Sequence, residues 1–130
     1  NNKNFIFDMS DNYFDIYANS ACLITDISGT AFTFAYATGK PVIFFSKMEK
    51  SLDSLGFSKL DYFKDRKKIG VIAETPNEIL SFIKNLTEIN EQIKITNKNL
   101  LKQIHYLGKS KKRIKEIVDA VVTKNYKIIN

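Results

Sequence analysis

The chain has little of what staples, kinks or coordinates: among 130 residues there are one cysteine, two prolines, five glycines, one histidine and no tryptophan. A lone Cys22 cannot close an internal disulfide, so a disulfide scaffold is excluded and a reducing compartment, the cytoplasm, is expected. One Cys and one His (His105), far apart in sequence, are too few ligands for zinc, and neither a metal nor a cofactor is expected. No apolar run approaches the ~18 residues that span a bilayer, and the first residues do not read as a signal peptide. Internal repeats and Gly-, Ser- or Pro-rich linkers are missing too.

What is present points to a folded globule of about one domain, with a hydrophobic fraction of 44% and ten phenylalanines. The net charge is +6, and it is unevenly spread. Between Lys102 and Lys127, eight Lys and Arg residues face only Glu116 and Asp119, a surplus equal to the whole net charge. Such a stretch suits anionic lipid, nucleic acid or another domain, or is simply a solvated helix face. No aromatic stacking platform is interleaved with these basic residues, so nucleic acid is not expected as a partner.

The hydrophobic pattern alternates short apolar runs with helical spacing. Phe5-Ile6-Phe7 reads as a first strand. Residues 11–19 read as a helix, with Ser10 or Asp11 as cap and Tyr13, Phe14, Tyr17 and Ala18 on one face. Residues 21–25 and 41–45 are uninterrupted apolar strands, as in a parallel sheet buried on both faces. Between them, Thr30 to Thr38 reads as a helix closed by Gly39. Ser46 to Lys68 is a polar excursion with one helical turn near Lys50 to Leu55, and Ile69 to Ala73 is a fourth strand.

Thr75-Pro76-Asn77-Glu78 then carries a cap, a proline at the first helical position and an acid three residues after the cap. That helix takes Ile79, Leu80, Ile83, Leu86 and Ile89 or Ile93 on its apolar face. A break near Thr96 and Asn97 is expected, then a segment from Leu100 to Leu107 stopped by Gly108. Ser110 is expected to cap a last helix over 110–124, with Ile114, Ile117, Val118, Val121 and Val122 turned inward. The βαβ alternation predicts an α/β fold: a small parallel Rossmann-like sheet flanked by helices. With barely four polar residues before its first strand, the chain is expected to be a piece of a longer protein.

One stretch asks for chemistry. Thr25-Asp26-Ile27-Ser28-Gly29-Thr30 stands between an apolar strand and a helix, at the strand's carboxyl end, where ligands of open α/β sheets sit. A helix opening there offers unpaired N–H groups and about half a positive charge. Gly29 leaves the backbone open to an anion, and Ser28 and Thr30 add hydroxyl donors. Asp26 would repel phosphate, so its expected part is to brace the turn by accepting N–H bonds. The helix that follows, Ala31 to Ala37, is apolar nearly all round. It is therefore expected to be covered on more than its sheet side, by a second domain across a ligand cleft.

"SACLITDISGTAFTFAYATGKPVIFF", with the lead-in "FDMSDNYFDIYANSA" and the closing "LGKSKKRIKEIVDAV", resembles the CDP-glycerol glycerophosphotransferase family. The resemblance spans roughly Phe5 to Val122. It implies the nucleotide-donor, C-terminal half of a two-domain GT-B enzyme that extends teichoic-acid-like or capsular polymers at the bacterial cell surface. It also implies that Ser28, Gly29 and Thr30 cradle the phosphates of CDP-glycerol, with Asp26 supporting the turn.

Ile27 stands where the family usually has an aromatic, and Gly29 where it has a second serine. An acid after the following strand often holds ribose in GT-B enzymes, and Glu49 is the candidate, with Lys47 able to neutralise phosphate; an exposed loop charge is the plainer account of both. Met9 and Ser10 are candidates for lining a base pocket. Catalytic residues are expected on an N-terminal domain, the domain partner of this one, so the 130 residues alone are not expected to turn over. His105, set among Ile104, Tyr106 and Leu107, reads as structural. The basic last helix is a candidate for docking that partner or the inner face of the membrane. Two alternatives stay open: half of a UDP-sugar glycosyltransferase or UDP-sugar 2-epimerase, and a non-catalytic α/β interaction domain of receiver-like outline.

Overall fold

The apolar runs around residues 23, 42 and 70 pair side by side. The computed structural model describes residues 4–102, 104, 106 and 108–123, with the backbone alone for 94–98 and 100. Strands β1 (Leu23–Thr25), β2 (Val42–Phe45) and β3 (Gly70–Ala73) form one parallel sheet in the order β1-β2-β3. Leu23, Ile24 and Thr25 pair with Val42, Ile43 and Phe44, and Val42 to Phe45 pair with Gly70 to Ala73. The central strand explains its own sequence. Val42, Ile43 and Phe44 are wholly buried, so no position is left for a polar residue. Gly70 is there for close approach, since a Cβ on it would run into the backbone of Val42.

The first strand expected at Phe5-Ile6-Phe7 does not form; these side chains are 71–86% exposed. A strand persists only where a neighbour accepts its ladder bonds, and no strand of the described sheet pairs with this segment. Helix α1 (Phe14–Asn19) starts later than expected, because Asn12 Oδ1 accepts the Phe14 N–H at 3.2 Å while Ser10 is bonded to Asp8 instead. Its last carbonyls are gripped by Lys40, whose Nζ donates to Ala18 O and Ser20 O at 2.6 Å each.

Helix α2 (Thr30–Thr38) ends as its sequence dictates, with Gly39 in the left-handed region and its N–H on Ala35 O. Ala31, Phe34 and Ala35 are wholly buried. Part of the extra cover its apolar surface demands comes from this same chain. Tyr17 of α1 lies edge-on to Phe34 at 5.1 Å, and Tyr62 lies edge-on to Phe32 at 5.4 Å.

The polar excursion is mostly helical. It holds α3 (Glu49–Ser54), a 3₁₀ turn (Phe57–Lys59) and α4 (Asp61–Ile69). Helix α4 escapes the apolar-periodicity reading because its inward face carries Arg66 where a hydrophobic residue is expected. The Arg66 guanidinium is buried over the rings of Phe63 (4.5 Å to the centroid) and Phe44 (5.5 Å), and its Nη2 meets Glu49 Oε1 at 2.5 Å.

Helix α5 (Pro76–Lys84) opens on the expected cap: Thr75 Oγ1 accepts the Glu78 N–H at 3.3 Å, while Glu78 Oε2 reaches past the cap residue to accept the Glu74 N–H at 2.7 Å. Asn85 separates it from α6 (Leu86–Leu101), to which the buried Ile89 and Ile93 belong. The expected break at Thr96 and Asn97 is absent. Both residues keep their N–H and cost a helix only about 0.5 kcal/mol each, which a long helix absorbs.

The chain divides into two compact units, Asn1–Asn97 and Lys98–Asn130. The first contains the sheet and helices α1 to α5. The second contains α7 (Ser110–Val122), in which Ser110 is the first helical residue, not the cap, and donates to Tyr106 O at 3.2 Å. Helix α7 buries Ala120, while Ile114, Val118, Val121 and Val122, expected inward, are exposed. The side it buries is the narrower one, through Ala120 and the half-buried Arg113, Glu116 and Ile117, with Arg113 stacked on Tyr106. His105, Lys124 and Lys127 lie outside the described residues.

Candidate functional site

The loop from Asp26 to Gly29 leaves the carboxyl end of β1 and turns directly into α2. The N-cap residue of that helix, Gly29, has no side chain with which to cap it. Gly29 stands at the cap position in ordinary helical conformation (φ −62°, ψ −26°), and the first turn is tight, with Ala31 N–H on Ser28 O and Phe32 N–H on Gly29 O, both at 3.2 Å. The one side-chain bond within the loop runs from Thr30 N–H to Ser28 Oγ at 3.3 Å, which leaves the Ser28 hydroxyl proton free to donate outward.

Among the described residues nothing accepts from the backbone N–H of Ile27, Ser28 or Gly29. Three consecutive donors are thus left over at the positive end of a helix. The space they face is open. Gly29 and Thr30 are exposed, and no atom would lie within 4 Å of a Cβ built on Gly29. The fold itself therefore makes no demand for glycine at position 29.

Asp26 is exposed and accepts no hydrogen bond among the described residues; the side-chain brace inside the turn is Ser28. A second brace comes from outside it. Tyr62 of α4 donates its hydroxyl to Ser28 O at 3.0 Å, across 34 positions of sequence. Burial pushes the Tyr62 phenol above the usual tyrosine range, so it holds its proton, and hence its donor, at neutral pH.

The remaining expected residues do not gather at the loop. Ser10 is engaged in its own turn, with Oγ 2.9 Å from Asp8 Oδ2, and its neighbour Met9 is exposed. Lys47 follows β2 at the same end of the sheet and lies over the Phe45 ring, 5.7 Å from its centroid. Glu49 is neither an exposed loop charge nor a free acid. It is the partner of buried Arg66, and one wall of a cavity of about 390 Å³ between α3 and α4. Lys50, Asp53, Phe63, Lys64 and Lys67 also line that cavity, whereas no residue of the 26–30 loop does. Among the described residues no cluster of His, Cys, Asp and Glu is arranged to hold a metal ion.

Tyr62 is the site residue that sequence reasoning missed. Its only local signal is the Tyr62-Phe63 pair in a run of charged residues, and its partner is too distant in sequence for periodicity to reveal.

The family model described as CDP-Glycerol:Poly(glycerophosphate) glycerophosphotransferase matches residues 1–123, and the chain belongs to that family. A glycerophosphotransferase type of function, with CDP-glycerol as the kind of donor, follows from that membership. No curated protein and no solved structure matches the chain.

Proposed function

We propose that this member of the glycerophosphotransferase family binds the nucleotide donor, and that Ser28, Gly29 and Thr30 hold its diphosphate at the mouth of α2. The observation that carries the reading is the row of unmatched amides at Ile27, Ser28 and Gly29, beside a glycine that the fold does not require. Charge-assisted bonds contribute roughly 1.5–3 kcal/mol each, and the helix end roughly 0.3–1 kcal/mol more, so two or three together retain a diphosphate. The exposed Asp26 carboxylate flanks the donors and favours binding on the Gly29–Thr30 side of the loop.

In the reaction, a hydroxyl of the acceptor polymer attacks the phosphorus that carries glycerol. A new P–O ester bond forms and the anhydride P–O bond breaks. CMP departs with the electron pair, and the hydroxyl proton passes to a general base on an N-terminal domain. The loop's part is to hold the phosphates and to stabilise the charge that develops on the departing nucleotide. The chain then acts as the donor half of a GT-B enzyme making teichoic acid or capsule in the bacterial cytoplasm. The exposed Lys111 and Lys112, beside the exposed Ile114, Val118 and Val121, favour a resting place for α7 on the inner membrane face.

The test is a titration of the ¹⁵N-labelled chain with CDP-glycerol, CDP and UDP. Shifts concentrated in the amides of residues 27–30, larger for the cytidine nucleotides, are expected. Shifts confined to the α3–α4 cavity, or none at all, overturn the assignment. A preference for UDP moves the chain to the UDP-sugar alternative.

A further inference from the structure

The bond from Tyr62 to the loop has a geometric consequence. In a trans peptide the carbonyl of one residue and the N–H of the next lie in one plane and point in opposite directions. The Ser28 carbonyl is turned inward, where it accepts both the Ala31 N–H at 3.2 Å and the Tyr62 hydroxyl at 3.0 Å. The Gly29 N–H of that same peptide is thereby turned the other way, and it is one of the three amides without an internal acceptor.

The hydroxyl is itself well held. The Tyr62 ring is edge-on to Phe32 at 5.4 Å and to Phe63 at 5.3 Å, and one helical turn further along α4 Arg66 is locked to Glu49. The phenol thus stands on a rigid support and meets the loop at the Ser28 carbonyl.

We propose that Tyr62 is a positioning residue of the donor loop: by holding the Ser28 carbonyl toward α4, it aims the Gly29 N–H at the phosphate. This inference rests on the reading of the loop as the diphosphate cradle, and it adds the device that keeps the cradle preformed. Without the phenol hydroxyl the Ser28 carbonyl keeps only the Ala31 N–H, the Ser28–Gly29 peptide is held less firmly, and the donor has to do more of the ordering on binding.

The test compares wild type, Tyr62→Phe and Tyr36→Phe in CDP-glycerol titrations read at the loop amides, with thermal unfolding as the check on folding. Tyr36 is a half-buried tyrosine of α2 with no bond to the loop, and its variant is expected to bind within twofold of wild type. Tyr62→Phe is expected to bind roughly fivefold more weakly, the worth of one net hydrogen bond, and to move the Gly29 amide resonance even without ligand. A purely structural role would lower the unfolding midpoint and leave the affinity for CDP-glycerol in place.

Wild-type binding at the loop with Tyr62→Phe within twofold overturns the positioning role and leaves the donor reading standing. A wild type that shows no loop shifts overturns both. Should Tyr62→Phe fail to fold, Phe32→Leu, which loosens the ring and keeps the hydroxyl, replaces it: weaker binding with a displaced Gly29 resonance supports the role, and unchanged binding overturns it.

Discussion

Single residues separate the demands of the fold from those of the candidate site. Gly29 sits in open space at an ordinary helical φ, so a larger side chain there is tolerated by the fold. Gly29→Val is therefore expected to keep the unfolding midpoint within a few degrees while weakening CDP-glycerol binding at least tenfold, as read by calorimetry, because its branches occupy the approach to the amides. Unchanged affinity would remove the loop from the site.

Arg66 and Glu49 pose the opposite case, a pair needed for structure. Arg66 is 1% exposed and Glu49 25%. Glu49→Ala strands a buried guanidinium and is expected to cost about 3 kcal/mol in urea unfolding. Arg66→Met leaves a carboxylate that can turn to water and an aliphatic chain between two rings, and is expected to cost about 1 kcal/mol. The reverse order would mean that Arg66 owes its burial to the rings and not to the carboxylate. At this scale the contiguous Ser28, Gly29 and Thr30 were legible, since adjacency in sequence guarantees adjacency in space. The ties from Tyr62 to Ser28 and from Arg66 to Glu49 were not, because each joins positions 17 or more apart and leaves no periodic trace.

Among the elements, those with strong local signals came through: α2 with its glycine stop, α5 with its Thr75 cap, and β2 with three buried apolar residues in a row. Helix α4 did not, because its core position is filled by a cation whose burial depends on a partner in α3. The Phe5–Phe7 strand failed for the converse reason: its apolar pattern was right, but a strand exists only where a neighbour accepts its ladder. Strand β3 offers the sharpest test at this scale. Gly70→Ala pushes a methyl group into the Val42 backbone, which has no rotamer with which to yield. Its expected cost is about 3 kcal/mol or more in urea unfolding, with the β2–β3 amides losing protection from hydrogen exchange first. A cost under 1 kcal/mol would mean that the two strands sit further apart than described.

For the whole molecule, charge and sheet topology set the remaining expectations. The basic surplus lies after Lys98, within the unit that contains α7, where Lys111 and Lys112 are exposed beside an apolar stripe. The chain is expected to sediment with vesicles containing phosphatidylglycerol at 50 mM salt, to leave them near 0.5 M salt, and to ignore neutral vesicles. Changing Lys111 and Lys112 together to Glu should abolish the effect, and salt-independent binding would assign it to the apolar stripe instead.

The sheet has a last consequence for handling the protein. Among the described residues strand β1 is an outermost strand, its Ile24 is half exposed, and Leu23-Ile24-Thr25 includes no lysine, proline or bulge of the sort that discourages strangers. Brevity is its protection. A redesign that lengthened this rim with further apolar residues would turn it into a nucleus for stacking one copy on the next, and concentrated samples would cloud long before they unfold.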